Sequence, residues 1–404
     1  MHDYAESLQR LVEQKIGYKL VTKMNPKLLI FSDDWGRHPS SCQHLTRHLL
    51  SDHRVTWVNT IGMRPPRLDW ITVKRGFEKI SEWTKPTPAH KNPSSTLPTD
   101  LDLIDAKMWP WMTRRWDRWL NQFLLTSQLK TAASDAIAIT TIPIVSDLIG
   151  KLPVKRWIYY CVDDFSVWPG LDSKSLLVQE NNLLEKVDHV VAVSETLIES
   201  VKQRGRDVDL LTHGVDSDFW NVTDTTVPQE INLPFDRQKP FALFWGVIDR
   251  RMNSDWLVAL ANQITDSQII LAGPMQDPDP VILEHPNIKT IGPIAFEKLP
   301  ALARMANVLI MPYADLPVTR AMQPLKLKEY LATLKPVVAS SLPAVRPWRD
   351  CLEMADSKEH FVSATTAHLN GPPQLSPLAN QTQERLRTES WAAKACELRR
   401  IISA

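Results

Sequence analysis

A chain of 404 residues with 43% hydrophobic and 23% charged side chains is globular and too long for one core of ordinary size, so two domains are expected. A net charge of +1 removes any general attraction to nucleic acid, and 12 glycines against 30 prolines leave little room for Gly-rich dinucleotide or Walker loops. Cys42, Cys161, Cys351 and Cys396 lie far apart with no CxxC pair, which excludes metal-ligand spacing and a disulfide framework and leaves a reduced chain.

The leader MHDYAESLQRLVEQ is polar and helical, without the apolar stretch of a signal peptide, so a cytoplasmic location is expected. No run approaches the ~18 apolar residues that cross a bilayer. A buried strand follows in KLLIFSDDW (27–35), then a helix over 42–50 and a second strand in RVTWVNTIG (54–62). That order predicts a βαβ unit and a parallel sheet. Further strands are expected at 136–143, 156–162 and 189–194, with one more over 210–216. Residues 221–239 turn polar and aperiodic and read as a linker.

The pattern then restarts. Strands are expected in PFALFWG (240–246), SQIILAG (267–273), NIKTIG, NVLIMPY and KPVVAS, with helices over 255–264, 299–305 and 324–333. The tail 381–402 reads as one long amphipathic helix with Trp391, Ala395, Leu398 and Ile402 on one side.

Open parallel sheets bind ligands beyond the carboxyl ends of their strands, so residues just after each strand carry the chemistry. The strongest constellation is MQPLKLKEYLATLKPVVAS (322–340). Pro324 is placed at the first helical position, and the free N–H groups of that turn form an anion site. Lys326 and Glu329 make an i, i+3 pair, so a phosphate on the helix tip and a ribose at the carboxylate are geometrically compatible. An ordinary surface helix fits these residues as well.

This segment resembles the P-x-K-x-x-E-Y-x-A-x-x-x-P-V-V signature of GT-B glycosyltransferases, especially the family 4 (group 1) retaining enzymes. The match rests on Pro324, Lys326, Glu329, Tyr330, Ala332, Pro336, Val337 and Val338. Ala321 stands where many relatives carry a second Glu that touches the donor sugar, and Leu334 replaces the usual Gly. FWGVIDRRMNSDW, starting at Phe244, resembles the strand–Gly–basic loop of the same fold, with Arg250 and Arg251 near the places of diphosphate ligands. THGVDSDFW (212–220), LAGP (271–274) and TIGPIAF (290–296) are similar to further elements of that fold, in the family's order.

The resemblance implies an α/β, GT-B architecture of two Rossmann-like domains facing across a cleft. Residues 1–230 would form the acceptor domain and 231–378 the nucleotide-sugar domain, with a C-terminal crossover helix over 379–404 returning toward the first. It implies donor-binding roles for Gly246, Arg250, Arg251, Gly273, Pro293, Gln323, Pro324, Leu325, Lys326 and Glu329. The activity implied is sugar transfer from a nucleoside diphosphate to a hydroxyl of a saccharide or lipid-linked acceptor, in polysaccharide or glycolipid assembly. Neither metal nor cofactor is implied, only a UDP- or GDP-linked co-substrate. A nucleotide-sugar epimerase of the same fold, or a scaffold without catalysis, would share these motifs.

In the N-terminal half, YYCVDDFSVWPG (159–170) places Asp163 and Asp164 just past a strand, as catalytic carboxylates or as a loop-capping pair. Arg37, His38 and Ser40 open the first helix, as acceptor ligands or a plain N-cap. His44 and His48 lack a third metal ligand and read as core or surface. From Met108 to Phe123, MWPWMTRRWDRWLNQF combines four Trp with three Arg. Two readings stand: a buried helix, or peripheral contact with the inner face of a membrane.

Overall fold

The computed structural model describes residues 25–36, 40–61, 98, 100–168, 170–221, 235–372 and 374–404. The strand β1 (Leu28–Ser32) is followed by helix α1 (Ser41–Leu49) and by β2 (Val55–Asn59) and β3 (Leu101–Asp105). Helix α2 (Arg115–Ala133), β4 (Ile137–Thr140), β5 (Arg156–Cys161) and α3 (Ser173–Lys186) come next. Then follow β6 (His189–Ala192), α4 (Glu195–Gln203), β7 (Asp209–Leu210) and the short α5 (Ser217–Trp220). The second run is β8 (Phe241–Trp245), β9 (Ile248–Asp249), α6 (Ser254–Gln263), β10 (Gln268–Ala272), β11 (Met275–Gln276), α7 (Val281–Glu284) and β12 (Ile288–Gly292). It continues with α8 (Leu299–Met305), β13 (Val308–Met311), α9 (Pro317–Ala321), α10 (Leu325–Ala332), β14 (Val337–Ser340) and β15 (Glu353–Ala355). Helices α11 (Lys358–Leu369), α12 (Ala379–Leu386) and α13 (Trp391–Ser403) close the chain.

Two large parallel sheets result, ordered β3-β2-β1-β4-β5-β6-β7 and β12-β10-β8-β13-β14-β15, each the sheet of a Rossmann-like domain, and β9 pairs with β11 in a small third one. Strands β1, β8, β10, β13 and β14 are buried along their whole length, which explains their unbroken apolar runs. The described residues fall into two compact units, 1–159 with Glu185–Asp188, and Tyr160–Leu184 with His189–Ala404. In the first, Ser32 and Thr141 hydroxyls meet at 2.7 Å and the Phe31 ring stacks on Trp157 at 5.6 Å. In the second, the core runs from Val215 and Trp220 through β8, β10, β13 and α10 to Phe361 and Leu386.

Three expectations need correction. The C-terminal tail is two helices: the chain breaks at Arg387–Glu389, where Glu389 O accepts from Val215 N at 2.8 Å, and Ser390 then caps α13. Binding of the backbone to the 212–215 segment outweighs the continuous apolar stripe. Pro324 has φ −70 and ψ 121, so it is the residue before α10 and Leu325 is the first helical one. The strand expected over 210–216 is two residues, Asp209–Leu210, since the chain beyond it turns toward α13. The boundary at 230/231 and the linker residues 222–234 lie outside the described ones.

Candidate functional site

Three strand ends meet in glycines. Gly246 N donates to Ala272 O at 2.9 Å, and Gly273 N donates to Gly292 O at 2.8 Å. Their φ values of 138, 148 and 70° put Gly246, Gly273 and Gly292 where side chains are strained. A methyl group on Gly273 would lie 1.9 Å from Gly246 O, so the two loops pack backbone to backbone. A methyl on Gly246 would lie 2.1 Å from Lys326 Nζ. The absent side chain is therefore what admits the ammonium group to the end of β8.

Helix α10 delivers that group. LKLKEYLA consists largely of good helix formers, and its buried face is Leu327, Lys328, Tyr330, Leu331 and Ala332. No side chain caps its start; Leu327 N donates to Pro324 O at 3.1 Å, and the N–H groups of Leu325 and Lys326 lie at the tip. Leu334, with φ 59°, ends it in the left-handed region, which accounts for the glycine the resembling family prefers there. Lys326 Nζ donates to the Tyr313 hydroxyl at 2.5 Å and lies 4.6 Å above the Phe244 ring. One turn further, Glu329 Oε2 accepts from Trp245 Nε1 at 3.2 Å. The Tyr330 hydroxyl accepts from Trp245 N at 2.9 Å and fixes that tryptophan from below, while Trp220 stacks on its ring at 5.3 Å. Desolvation pushes the Glu329 carboxyl up to about 7, against the Trp245 bond and the Lys326 charge. Its neighbours thus hold a carboxyl poised to ionise near neutrality beside a cation.

The arginines divide. Arg251 is buried and forks onto Asp249, with Nη2 to Oδ2 at 2.8 Å and Nε to both carboxylate oxygens at 3.0 Å. Its guanidinium lies 4.9 Å over the Trp168 ring and 5.9 Å from Tyr313. Burial opposes its charge, but Asp249, Tyr313 and Asp163 outweigh this and raise its pKa. Arg250 is exposed and makes long contacts of 3.4 and 3.5 Å to Asp277. The structure therefore groups Gly246, Gly273, Lys326 and Glu329 at the strand ends, with Tyr313 touching both Lys326 and Arg251. Gln323 and Leu325 flank Pro324 at the helix tip, half-buried, and Pro293 is exposed after Gly292.

Asp163 and Asp164 separate cleanly. Asp164 Oδ1 accepts from Ser166 N at 3.0 Å and from its hydroxyl at 2.5 Å, which is a loop-capping role. The charge of Asp163 is the smallest of those that raise the Arg251 pKa. Ala321 is buried, and its carbonyl accepts from the Ser194 hydroxyl at 2.9 Å. Ser40 caps α1 by accepting from Gln43 N at 3.4 Å, whereas Arg37 and His38 lie outside the described residues. Trp245, Tyr313, Asp249 and Trp168 were not singled out from sequence. Two of them had a signal: Trp245 directly precedes the strand-end glycine, and Tyr313 ends the NVLIMPY strand.

Lys328 points the opposite way, into the protein. Its ammonium donates to His213 O and reaches Thr212 Oγ1 at 3.3 Å and Glu389 Oε2. Burial pulls it down to about 8, against the attraction of Glu389. Lys394 lies 3.4 Å from both Glu389 and Glu397, so a charged cluster fastens α10 and the 212–215 segment to α13.

Residues 239–370 match the family described as Glycosyl transferases group 1. The chain is 27% identical over 173 residues to the putative teichuronic acid biosynthesis glycosyltransferase TuaH of Bacillus subtilis (strain 168). That similarity covers 41% of this chain and 43% of TuaH, less than half of either. Among solved structures, sucrose-phosphate synthase from Thermosynechococcus elongatus shares the fold with a TM-score of 0.69 and 16% identity, over 93% of this chain and 98% of that one. HepE of Anabaena, solved with UDP-glucose, gives a TM-score of 0.65 and 12% identity over 94% and 100%.

Proposed function

We propose that this protein is a glycosyltransferase, moving a sugar from a nucleoside diphosphate to a hydroxyl of a saccharide or lipid-linked acceptor, in polysaccharide or glycolipid assembly. One observation carries the reading. Within the segment that matches group 1 glycosyltransferases, Lys326 lies against the side-chain-free Gly246 at a helix tip, and Glu329 sits one turn deeper. An ammonium and uncapped N–H groups suit a diphosphate, and a carboxylate suits the two donors of a ribose. The co-substrate is UDP- or GDP-linked. TuaH, described as acting in teichuronic acid biosynthesis, and the HepE complex with UDP-glucose support this class of donor and product.

As the bond to the sugar lengthens, negative charge gathers on the leaving diphosphate. Lys326 and the α10 N-terminus stabilise it there, a role that calls for no metal or other cofactor. Asp163, on the side of Arg251, faces the positive charge that develops on the ring, and configuration is retained. Arg251 acts through Asp249 and Trp168 to hold this wall of the site, while Arg250 is free to swing toward a bound phosphate. On the acceptor side the reading keeps the loop of Arg37, His38 and Ser40. It also includes a cytoplasmic location with peripheral membrane contact between Met108 and Phe123. Among the described residues no helix is long and apolar enough to cross a membrane.

Thermal-shift titration with UDP, GDP, ADP and TDP tests the donor site. UDP or GDP should raise the melting temperature, and Lys326→Ala should remove the rise without lowering the unliganded melt. A chain that responds to none of the four contradicts the proposal.

A further inference from the structure

The Trp- and Arg-rich segment splits into an inward half and an outward half. Trp109 is tied into the protein: its backbone N–H donates to Asn121 Oδ1 at 2.6 Å, and its indole N–H donates to Asp117 Oδ1 at 2.8 Å. Trp111 packs against Trp109, with ring centroids 4.9 Å apart. Helix α2 behaves differently. Trp116, Trp119 and Phe123 are 49%, 65% and 62% exposed, at i, i+3 and i+7 on one face, and Trp119 stacks on Phe123 at 6.4 Å. They span two turns, about 10 Å of helix.

The charges on α2 are one-sided. Its single acid, Asp117, is buried and also accepts from Arg114 N at 3.0 Å. Arg118 turns away to Asp147, with both arms of the fork at 2.6 and 2.7 Å. Arg114, Arg115 and Lys130 are exposed. The outward face of α2 is thus aromatic and cationic, with every carboxylate of the helix withdrawn from it.

We propose that this face of α2 docks on an anionic phospholipid surface, with Trp116, Trp119 and Phe123 seated among the headgroups and Arg114 and Arg115 on lipid phosphates. The inference rests on the peripheral contact included above and changes which residues make it. Indole and phenyl rings favour the headgroup boundary, and exposed cations add attraction to anionic lipid. A second copy of the chain fits less well. At 150–250 Å² per aromatic side chain, about half to two thirds exposed, the stripe offers roughly 400 Å², half of the ~800 Å² each partner gives a standard interface.

The test is cosedimentation of the full chain with vesicles of phosphatidylglycerol and phosphatidylcholine, against phosphatidylcholine alone. The wild-type protein should bind the anionic vesicles, and high salt should weaken it. Trp116→Ser/Trp119→Ser/Phe123→Ser should cut the bound fraction at least tenfold with an unchanged melt, since these rings are exposed. Arg114→Glu/Arg115→Glu should do the same without touching an apolar group. If the wild-type chain binds no vesicle, the peripheral contact itself is wrong. If Trp111→Ser releases the protein while the α2 triple variant stays bound, contact exists but not through this face. Wild-type dimers that dissociate in the triple variant would instead assign the face to self-association and overturn the proposal.

Discussion

Raising the pH from 6 to 8 should tighten nucleoside binding about tenfold, because Glu329 can accept from both ribose hydroxyls, one on each oxygen, only as a carboxylate. Its carboxyl is pushed up to about 7 by desolvation. In the free protein roughly a tenth is ionised at pH 6 and roughly nine tenths at pH 8, a difference of about 1.4 kcal/mol in affinity. Uridine and guanosine serve as ligands, since they lack a phosphate whose own ionisation would shape the profile. Calorimetry on the wild type should show affinity rising through neutrality and flattening above it. Glu329→Gln should bind more weakly, by about 1.5–3 kcal/mol at pH 8, and show no slope. The sign for the unliganded fold is opposite. Between the ordinary value of 4.5 and the raised one near 7, the folded protein holds more protons than the unfolded chain, so stability falls as pH rises through that window. Parallel pH profiles for the wild type and Glu329→Gln would refute the placement of ribose on this carboxylate.

Gly246→Ala should displace the flexible Lys326 ammonium and weaken nucleoside diphosphates about tenfold while sparing nucleosides, read by calorimetry on both; equal losses would mean a general distortion of β8. Asp163→Asn should abolish transfer yet spare donor affinity, whereas Asp164→Asn, whose partner is Ser166, should keep most turnover; the reverse result assigns the chemistry to Asp164. Lys328→Met should destabilise the fold by about 3 kcal/mol in urea unfolding, because Glu389 is left partly unpaired, and adding Glu389→Leu should restore much of it.

Much of this architecture was legible. Strands buried on both faces read as apolar runs, so β8, β10, β13 and β14 were found within two residues of their ends, and β1 ends three residues earlier than read. In the site, Lys326 and Glu329 could be grouped because their i, i+3 spacing puts them on one face at the start of α10, with Pro324 just before it. Contacts distant in sequence were not legible. Nothing local reveals that Trp245 reaches Glu329 across 84 positions, or that Asp249 claims Arg251 before any phosphate could. The break between α12 and α13 is set by Val215, far upstream, and no helical pattern records it. The exposure of Trp116 and Trp119 was equally hidden, because a ring buried in a core and a ring facing outward have the same one-letter code.

The most direct test of sugar transfer is the fate of UDP- and GDP-sugars incubated with the protein and analysed for both products. The account predicts release of free nucleoside diphosphate, by transfer or by slow hydrolysis, with the remaining donor sugar unchanged, and loss of that release in Lys326→Ala. Epimerised donor without diphosphate release, or release that Lys326→Ala leaves untouched, would contradict it.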